Sequence, residues 1–468
     1  MSRARTIDVG ELLESRPLNR YHIFIAVLGF LVLWVDGLDF SAGMVGAPAI
    51  LREFHAGRGA MGNVFGAGSF GAMLGALLFG YVADRWGRRV GIIASVLAYS
   101  VATLASAYAS SLNELMVLRF ITGMGVAGVV PNTISLLTET APRRYRASFV
   151  MLTLIGIAAG NSSAGLVAGW FMAANGWQIV FVTGGVVGLL MSVLLFFVLP
   201  ESIRFLAVKN PDGPQLRRLV ARLAPDLDLS AGTGFVLAQP KREGVALKQL
   251  FTGDQRIATP LLWVGYFTEA LTFMTLLSWM SVFLVSAGLT QTQAAFAFSY
   301  AGMGGICAVL VMARILDRFG PVALVASALA AIVSVSLMGA DLPQTAIIAM
   351  AILGVAFCTG THNALNGTVG MFYPTAIRGK GVGYATGMGR VGLMVGPVVT
   401  GWLLAANLPL QDVLYVVAAP YVVVALACWA LGRLYQRRFA TGAGIEAARA
   451  ADDAPMTLVQ RNESAAAR

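Results

Sequence analysis

The sequence predicts an all-α membrane protein with twelve transmembrane helices. Hydrophobic residues make up 57% of the 468 residues and charged residues only 12%, whereas about a quarter of the residues in a soluble domain are charged. The apolar residues also fall in blocks of about 20 or more, the length that a helix needs to cross a hydrocarbon core of ~30 Å. The chain therefore suits a lipid bilayer rather than water.

The apolar blocks define the spans, and polar stretches divide the chain into regions. A polar tail over 1–21 precedes a six-helix half over 22–200, and a polar central loop over 201–258 leads to a second six-helix half over 259–436. The tail over 437–468 is rich in Ala and Arg, so it is expected to be disordered. The first apolar block is too long for a signal peptide, so it is expected to be retained as helix 1. The spans are predicted at 22–50, 60–83, 90–109, 114–138, 148–173, 177–199, 259–286, 292–313, 322–340, 344–369, 380–406 and 412–434.

The distribution of basic residues predicts that both termini lie in the cytoplasm. With that orientation, 29 of the 33 Lys and Arg residues fall in cytoplasmic tails and loops, and the outside loops contain only Arg52 and Arg58. Such an excess is typical of cytoplasmic loops. The net charge of +10 is thus a topology signal that also suits contact with the lipid bilayer, and no nucleic-acid partner is expected. A multi-pass protein of the cell inner membrane is predicted.

Two motifs recur at nearly one offset, which indicates an internal duplication. The Asp-Arg pair at 84–85 recurs at 317–318, and the Pro-x-x-x-Arg motif at 142–146 recurs at 374–378. Two different motifs that share an offset of about half the chain indicate two copies of a six-helix unit. Transporters built from such repeats bind their substrate near the bilayer midplane, between the halves.

The loop between spans 2 and 3 contains the motif G-x-x-x-D-R-x-G-R-R, which begins at Gly80 and ends at Arg89. This motif resembles the signature of the major facilitator superfamily. The resemblance covers nearly the whole chain and implies the major facilitator fold and transport by alternating access. The loop is interpreted as a gate, in which Asp84 can cap a helix or pair with Arg88; a fixed structural turn is the alternative. The residues assigned to this gate are Gly80, Asp84, Arg85, Gly87, Arg88, Arg89 and the second copy at Asp317 and Arg318.

A narrower resemblance concerns helix 1 and the region of helices 10 and 11. The motif Asp36-Gly37-x-Asp39 resembles the D-G-x-D motif of the aromatic acid:proton symporters, and 372–397 is similar to that family's helix 10–11 region. This implies a proton-coupled importer of a small organic anion, an aromatic carboxylate such as a hydroxybenzoate. A dicarboxylate, a lactone acid or a sugar acid is the alternative. Glu269 departs from the family pattern, in which a neutral residue is expected.

Helix 1 carries the residues expected to couple transport to protons. Asp36 and Asp39 are three residues apart and so share one face of the helix. Two close carboxylates in a low dielectric do not both ionise easily, so one of them is expected to hold a proton. Asp39 is the predicted proton carrier, and Asp36 is predicted to shape the site and to tune the pKa of Asp39. The alternative is that both only hold helix 1 to a neighbour through hydrogen bonds.

Three more ionisable residues lie within spans, where burial costs at least ~2.5–3.5 kcal/mol each. Arg119 is predicted to pair with Asp39, or else to extend to water at the outer end of its span. Arg390 is predicted to bind the substrate carboxylate, because a guanidinium can do so with two hydrogen bonds; the family resemblance implies the same role, and a salt bridge with Glu269 is the alternative. Glu269 is assigned to proton coupling, with selection among anions or pairing with Arg390 left open.

Polar and aromatic side chains are expected to line the binding site. His362 and Asn366 are four residues apart, so they share a helix face and can hydrogen-bond ring hydroxyls; a helix–helix hydrogen bond from His362 is equally compatible with the sequence. Aromatic residues of helix 7 can stack on a substrate ring. The predicted lining residues are His362, Asn363, Asn366, Asn132, Tyr266, Phe273 and Trp279.

Other classes of protein lack support in the sequence. The three Cys and three His residues show no metal-ligand spacing, no nucleophile–base pair is evident in the spans, and no phosphate-binding G-x-x-x-x-G-K-[ST] loop is present. No enzyme activity, cofactor, metal or ATP drive is therefore expected. A sensor would need a folded soluble domain, for which the central loop is too short. A monomer is expected.

Overall fold

The computed structural model describes residues 6–15, 18–211, 213–224, 234–236, 247–253, 255–373 and 375–440. Within these residues, twelve segments are long and apolar enough to cross a membrane, which confirms the predicted number. The last helix extends to Ala440, and the rest of the predicted disordered tail lies outside the described residues.

The membrane helices follow the predicted order, six in each half. Side-chain caps fix several helix starts; for example, Asn19 and His22 exchange hydrogen bonds at the start of the first span. The last span is divided before Pro420, which has no amide proton to continue the helix. The elements are β1 Thr6–Asp8, α1 Val9–Ser15, α2 Arg20–Glu53, α3 Met61–Trp86, α4 Arg88–Ser106, α5 Leu112–Thr140, α6 Arg146–Asn175, α7 Gln178–Val198, α8 Ile203–Lys209, α9 Pro214–Leu223, β2 Gly234–Val236, α10 Gln255–Ser286, α11 Gln291–Phe319, α12 Ala323–Leu337, α13 Gln344–Phe372, α14 Thr375–Ala405, α15 Leu410–Ala418 and α16 Pro420–Ala440.

The N-terminal tail and the central loop form a small cluster that the sequence analysis did not predict. Strands β1 and β2 pair in parallel, with Thr6 opposite Gly234. The apolar sides of α1, α8 and α9 pack together around Leu13, Leu216 and Val220, which are fully buried. The side-chain amide of Asn19 also donates to the backbone oxygen of Leu223, at 3.1 Å. Two segments that are far apart in sequence thus fold on each other.

The two halves contact each other at the end that the charge pattern places outside. Helix α2 packs on α10, α3 on α14 and α6 on α11. The ring of Trp279 lies edge-on to Phe65, with 5.4 Å between ring centroids, and its indole donates to the backbone oxygen of Pro397 at 3.0 Å. These contacts close the outer end, and the cavity between the halves continues along the inner half of α5, past Pro131 and Ile134. The chain is thus in an inward-facing arrangement relative to the predicted topology.

Replacing Gly59 by alanine should hinder this outer closure. An added Cβ would lie 2.0 Å from the backbone oxygen of Gly401 and 2.9 Å from the Cβ of Ala405. Overpacking of this kind costs about 1–3 kcal/mol, so we expect the closed outer end to become roughly 5- to 150-fold less populated. Distances between spin labels on the outer ends of α3 and α14 measure this change. Gly57→Ala is the matched control, because a Cβ there meets no atom within 4 Å; equal distance distributions in the two variants would contradict the expectation.

Candidate functional site

The two acids of helix α2 are buried between neighbouring membrane helices. Asp36 is 3% exposed and Asp39 is fully buried, and within the described residues neither oxygen of Asp39 accepts a hydrogen bond of standard geometry. Arg119 and the Thr103 hydroxyl are the groups that act on its charge. Gly37 between the two acids allows the close approach of α6, since an added Cβ would lie 2.2 Å from the backbone oxygen of Ile157. Buried polar groups nearly always form hydrogen bonds, so an acid without a well-formed one suits a group that changes its protonation state or its partner.

Arg119 lies inside the protein, not in water at the outer end of its span. It is 8% exposed, and its Nη2 donates to the hydroxyls of Thr103 and Ser106, both at 2.9 Å. Its guanidinium also lies 4.9 Å from the centre of the Phe181 ring, a favourable cation–π contact. Arg119 and Asp39 interact electrostatically, but no hydrogen bond joins them in this state. The partners of Arg119 were not predicted.

A cavity of about 450 Å³ lies between the halves, within the usual size range of small-molecule sites. Arg119 lines it from the N-terminal half and Arg390 from the C-terminal half, and most of the other lining residues are apolar, among them Phe40, Phe65 and Met274. Arg390 is exposed and makes no hydrogen bond or ion pair with any residue that the structure describes. The cavity thus combines an apolar surface with two positive charges, one of them available to a ligand.

Glu269 is bonded to residues other than Arg390. It is fully buried on α10, its Oε2 lies 2.7 Å from Nδ1 of His362, and its Oε1 accepts from the Tyr421 hydroxyl at 3.3 Å. The imidazole of His362 also stacks on Phe273, with 4.9 Å between ring centroids and 13° between the planes. The suggested salt bridge between Glu269 and Arg390 is therefore not formed in this state.

The remaining predicted lining residues fall into two groups. Tyr266 donates to the side-chain oxygen of Asn366 at 2.9 Å, one turn of α13 from His362, and Asn363 donates to its own helix, at the backbone oxygen of Thr359. None of the seven predicted residues is among those that line the cavity between Arg119 and Arg390. Asn132 donates to the backbone oxygens of Gly128 and Phe79, and Trp279 belongs to the outer closure. Helical spacing alone does not tell which neighbour a helix face meets, so these contacts were not predicted.

The loop between α3 and α4 forms a charged network on the inner side of the N-terminal half. Arg88 pairs with Asp84 at 3.0 Å and with Glu139 of α5 at 3.3 Å. Asp84 uses the pairing alternative, and its side chain is 77% exposed. Gly87 has a positive φ of 107°, which favours glycine. Among the residues that the structure describes, no atom lies within 4 Å of a Cβ added to Gly80.

Residues from the central loop complete this network. The carboxylate of Glu201 accepts from the backbone amide of Arg89 at 3.2 Å, Ser202 hydrogen-bonds Glu139, and Lys209 donates to the backbone oxygen of Arg85 at 2.6 Å. Burial raises the pKa of Glu201, and the backbone amides of Ser202 and Arg89 counteract this effect. In the second copy, Arg318 is exposed and lies over Phe319; the side chain of Asp317 is outside the described residues. Nothing in the sequence indicated that the central loop contacts the loop between α3 and α4.

The twelve-helix fold and its central cavity define a membrane transporter rather than an enzyme. The chain belongs to the major facilitator superfamily, whose sequence profile matches residues 29–369. It is 32% identical over 429 residues to the 4-hydroxybenzoate transporter PcaK of Acinetobacter baylyi, covering 90% of this chain and 93% of that protein. It is 33% identical over 430 residues to a gallate transporter of Pseudomonas putida, covering 91% and 95%.

Solved structures of low sequence identity show the same fold. A bacterial homologue of the human lysosomal transporter Spinster, in an inward-facing and unoccupied conformation, matches with a TM-score of 0.68 at 16% identity, over 90% of this chain and 99% of that one. The xylose transporter XylE of E. coli, in a partially occluded inward-open conformation, matches with a TM-score of 0.66 at 16% identity, over 88% and 98%. These matches confirm the predicted fold class.

Proposed function

We propose that this protein imports an aromatic carboxylate of the hydroxybenzoate type together with protons. The observation that carries the proposal is the cavity, in which an exposed Arg390 faces an otherwise mostly apolar surface. An apolar ring with one carboxylate matches such a surface, since a guanidinium forms strong paired hydrogen bonds with a carboxylate. The names of the two curated relatives, which refer to 4-hydroxybenzoate and gallate, support the same substrate class.

In this proposal the proton is carried on helix α2. Asp39 binds and releases the proton, and Asp36 tunes the proton affinity of Asp39. The positive charge of Arg119 competes with the proton for Asp39. The support is the burial of both acids and the electrostatic interaction between Asp39 and Arg119. Glu269 was also predicted to couple protons, but it lies in the other half, bonded to His362 and Tyr421, so this proposal leaves it out of the proton pathway.

The proposal also includes the setting of the protein. We infer a monomer in the cell inner membrane. We place both termini in the cytoplasm, because the tails and the loops on the same side of the membrane contain most of the basic residues. The loop with Asp84, Arg85, Arg88 and Arg89 then lies at the inner face. We propose that it acts as a gate that meets the C-terminal half only when the inner end closes, since its contacts here are with α5 and the central loop.

A dicarboxylate is the second candidate substrate, and one observation favours it. Two guanidinium groups, those of Arg119 and Arg390, line the same cavity, so two carboxylates could each find a positive charge. The hydrogen bonds that already engage Arg119 with Thr103 and Ser106 make this candidate weaker than the aromatic monocarboxylate.

Uptake into energised membrane vesicles tests the proposed function. Labelled 4-hydroxybenzoate should accumulate above its outside concentration, and a protonophore should abolish that accumulation. Excess unlabelled hydroxybenzoate should compete, whereas succinate should not. Uptake that is unaffected by the protonophore would remove proton coupling, and competition by succinate alone would favour the dicarboxylate.

A further inference from the structure

A polar cluster in the C-terminal half has no part in the anion and proton roles proposed above. It is built around Glu269, a fully buried acid that contacts His362 at one carboxylate oxygen and Tyr421 at the other. Burying a charge inside a membrane protein is costly, and such residues usually face a partner or a functional cavity. Glu269 has two partners, and one of them, His362, is still 27% exposed at its side chain.

The imidazole of His362 is held on two sides. Glu269 contacts the ring at Nδ1, and Phe273, one turn further along α10, stacks on the ring face. No hydrogen bond to Nε2 is made within the part of the chain that the structure describes. A side chain that is fixed in orientation but has an unused polar atom is preorganised to bind a ligand.

The residues of the cluster are not among those that line the cavity, but neighbouring residues of the same helix are. Met274, next to Phe273 on α10, lines the cavity together with Arg390 of α14. Gly389, the neighbour of Arg390, lies against Tyr266 of α10, so that an added Cβ would be 3.3 Å from the Tyr266 ring. Tyr266 in turn donates to Asn366, one turn from His362. The anion-binding arginine and the imidazole therefore belong to one packed group of helices.

The contacts of Glu269 leave the Nε2 atom of His362 for a ligand. The 2.7 Å contact with Oε2 of Glu269 engages Nδ1 of His362, and Tyr421 donates to the other oxygen of Glu269. An imidazole nitrogen accepts a hydrogen bond when it is unprotonated and donates one when it is protonated. A phenolic hydroxyl is both a donor and an acceptor, so it can pair with Nε2 in either case.

We propose that His362 selects substrates with a hydroxyl group on the ring, through a hydrogen bond between its Nε2 and that hydroxyl while the carboxylate lies on Arg390. Glu269 is the positioning residue, since it fixes the orientation of His362 and leaves Nε2 for the ligand. The inference rests on the proposed transport of aromatic carboxylates, and it adds that the ring hydroxyl of the substrate is recognised.

The test compares the uptake of three acids that differ only at the ring position opposite the carboxylate. These are 4-hydroxybenzoate, 4-methoxybenzoate and benzoate; the last two lack the hydrogen-bond donor. One hydrogen bond contributes about 0.5–1.5 kcal/mol, or somewhat more when its loss leaves a buried group unpaired, so the wild-type protein should show a KM for 4-hydroxybenzoate roughly tenfold lower than for benzoate. His362→Phe should remove this difference, so that the KM values for these two acids become similar.

Two further variants separate selection from a general structural role. Glu269→Gln changes the carboxylate that contacts His362 and Tyr421, so His362 is held less well and the hydroxyl preference should fall. His362→Gln retains a hydrogen-bonding group and should keep part of the preference. His55→Phe is the matched control, because His55 is an exposed residue of an outer loop and its replacement should leave the KM ratio unchanged.

The outcomes distinguish this inference from the proposed function. If the wild-type protein takes up none of the aromatic acids, the proposed function fails and the inference fails with it. If it takes them up but His362→Phe and Glu269→Gln both retain the wild-type KM ratio, only the selection by His362 is overturned. A lost ratio in His362→Phe, with a partial ratio in His362→Gln, supports it.

Discussion

Replacing Asp39 by asparagine is expected to abolish concentrative uptake while leaving exchange intact. With one proton carried per anion, each pH unit across the membrane supports about tenfold accumulation, because one unit corresponds to 1.36 kcal/mol. An amide cannot carry the proton, so the accumulation ratio should fall to about 1. Exchange of labelled for unlabelled substrate needs no net proton movement and should continue. The measurement is the steady-state ratio of inside to outside label, with and without an imposed pH gradient.

The structure offers a matched control for this replacement. Asp412 is an exposed acid at the outer end of α15, and Asp412→Asn makes the same chemical change without affecting a buried site. It should accumulate substrate as the wild-type protein does. If Asp39→Asn still accumulates substrate against its gradient, Asp39 is not the proton carrier. If it loses exchange as well, the acid is needed for binding or for the helix rearrangement itself.

The fold could be predicted from the sequence because membrane spans are recognised locally. Each apolar block that is long enough to cross the bilayer became a helix, and the polar break at 201–258 separated the two halves. The ionisable residues were also identifiable, since the cost of burying a charge in lipid makes each of them exceptional. The burial of Asp36, Asp39 and Glu269 agrees with that expectation.

The partners of these residues could not be predicted, because they come from distant parts of the chain. Glu269 and His362 are 93 residues apart, and no spacing rule connects two helices at that separation. The cluster of α1, α8 and α9 was missed for a related reason. Its apolar residues are few within polar segments, and they become a core only when the chain near Thr6 reaches the chain near Gly234.

Replacing Arg390 by glutamine should raise the KM for the aromatic acid by one to two orders of magnitude. A hydrogen bond to a charged group contributes about 1.5–3 kcal/mol, which corresponds to a change of roughly 10- to 150-fold. Arg390→Lys keeps the positive charge but loses the planar pair of donors, so its KM should lie between those of the wild type and the glutamine variant. Uptake at a series of substrate concentrations gives these values. Arg58→Gln is the control, since Arg58 is exposed on an outer loop.

The same measurement on Arg119→Gln decides which guanidinium binds the anion. Both arginines line the cavity, but Thr103, Ser106 and Phe181 already occupy Arg119, whereas Arg390 has an exposed guanidinium. We therefore expect Arg119→Gln to impair accumulation through its effect on Asp39 more than it impairs binding in exchange assays. A KM that rises in Arg119→Gln and stays unchanged in Arg390→Gln would reverse the two roles. It would also mean that the hydrogen bonds of Arg119 are replaced by the substrate carboxylate when the cavity fills.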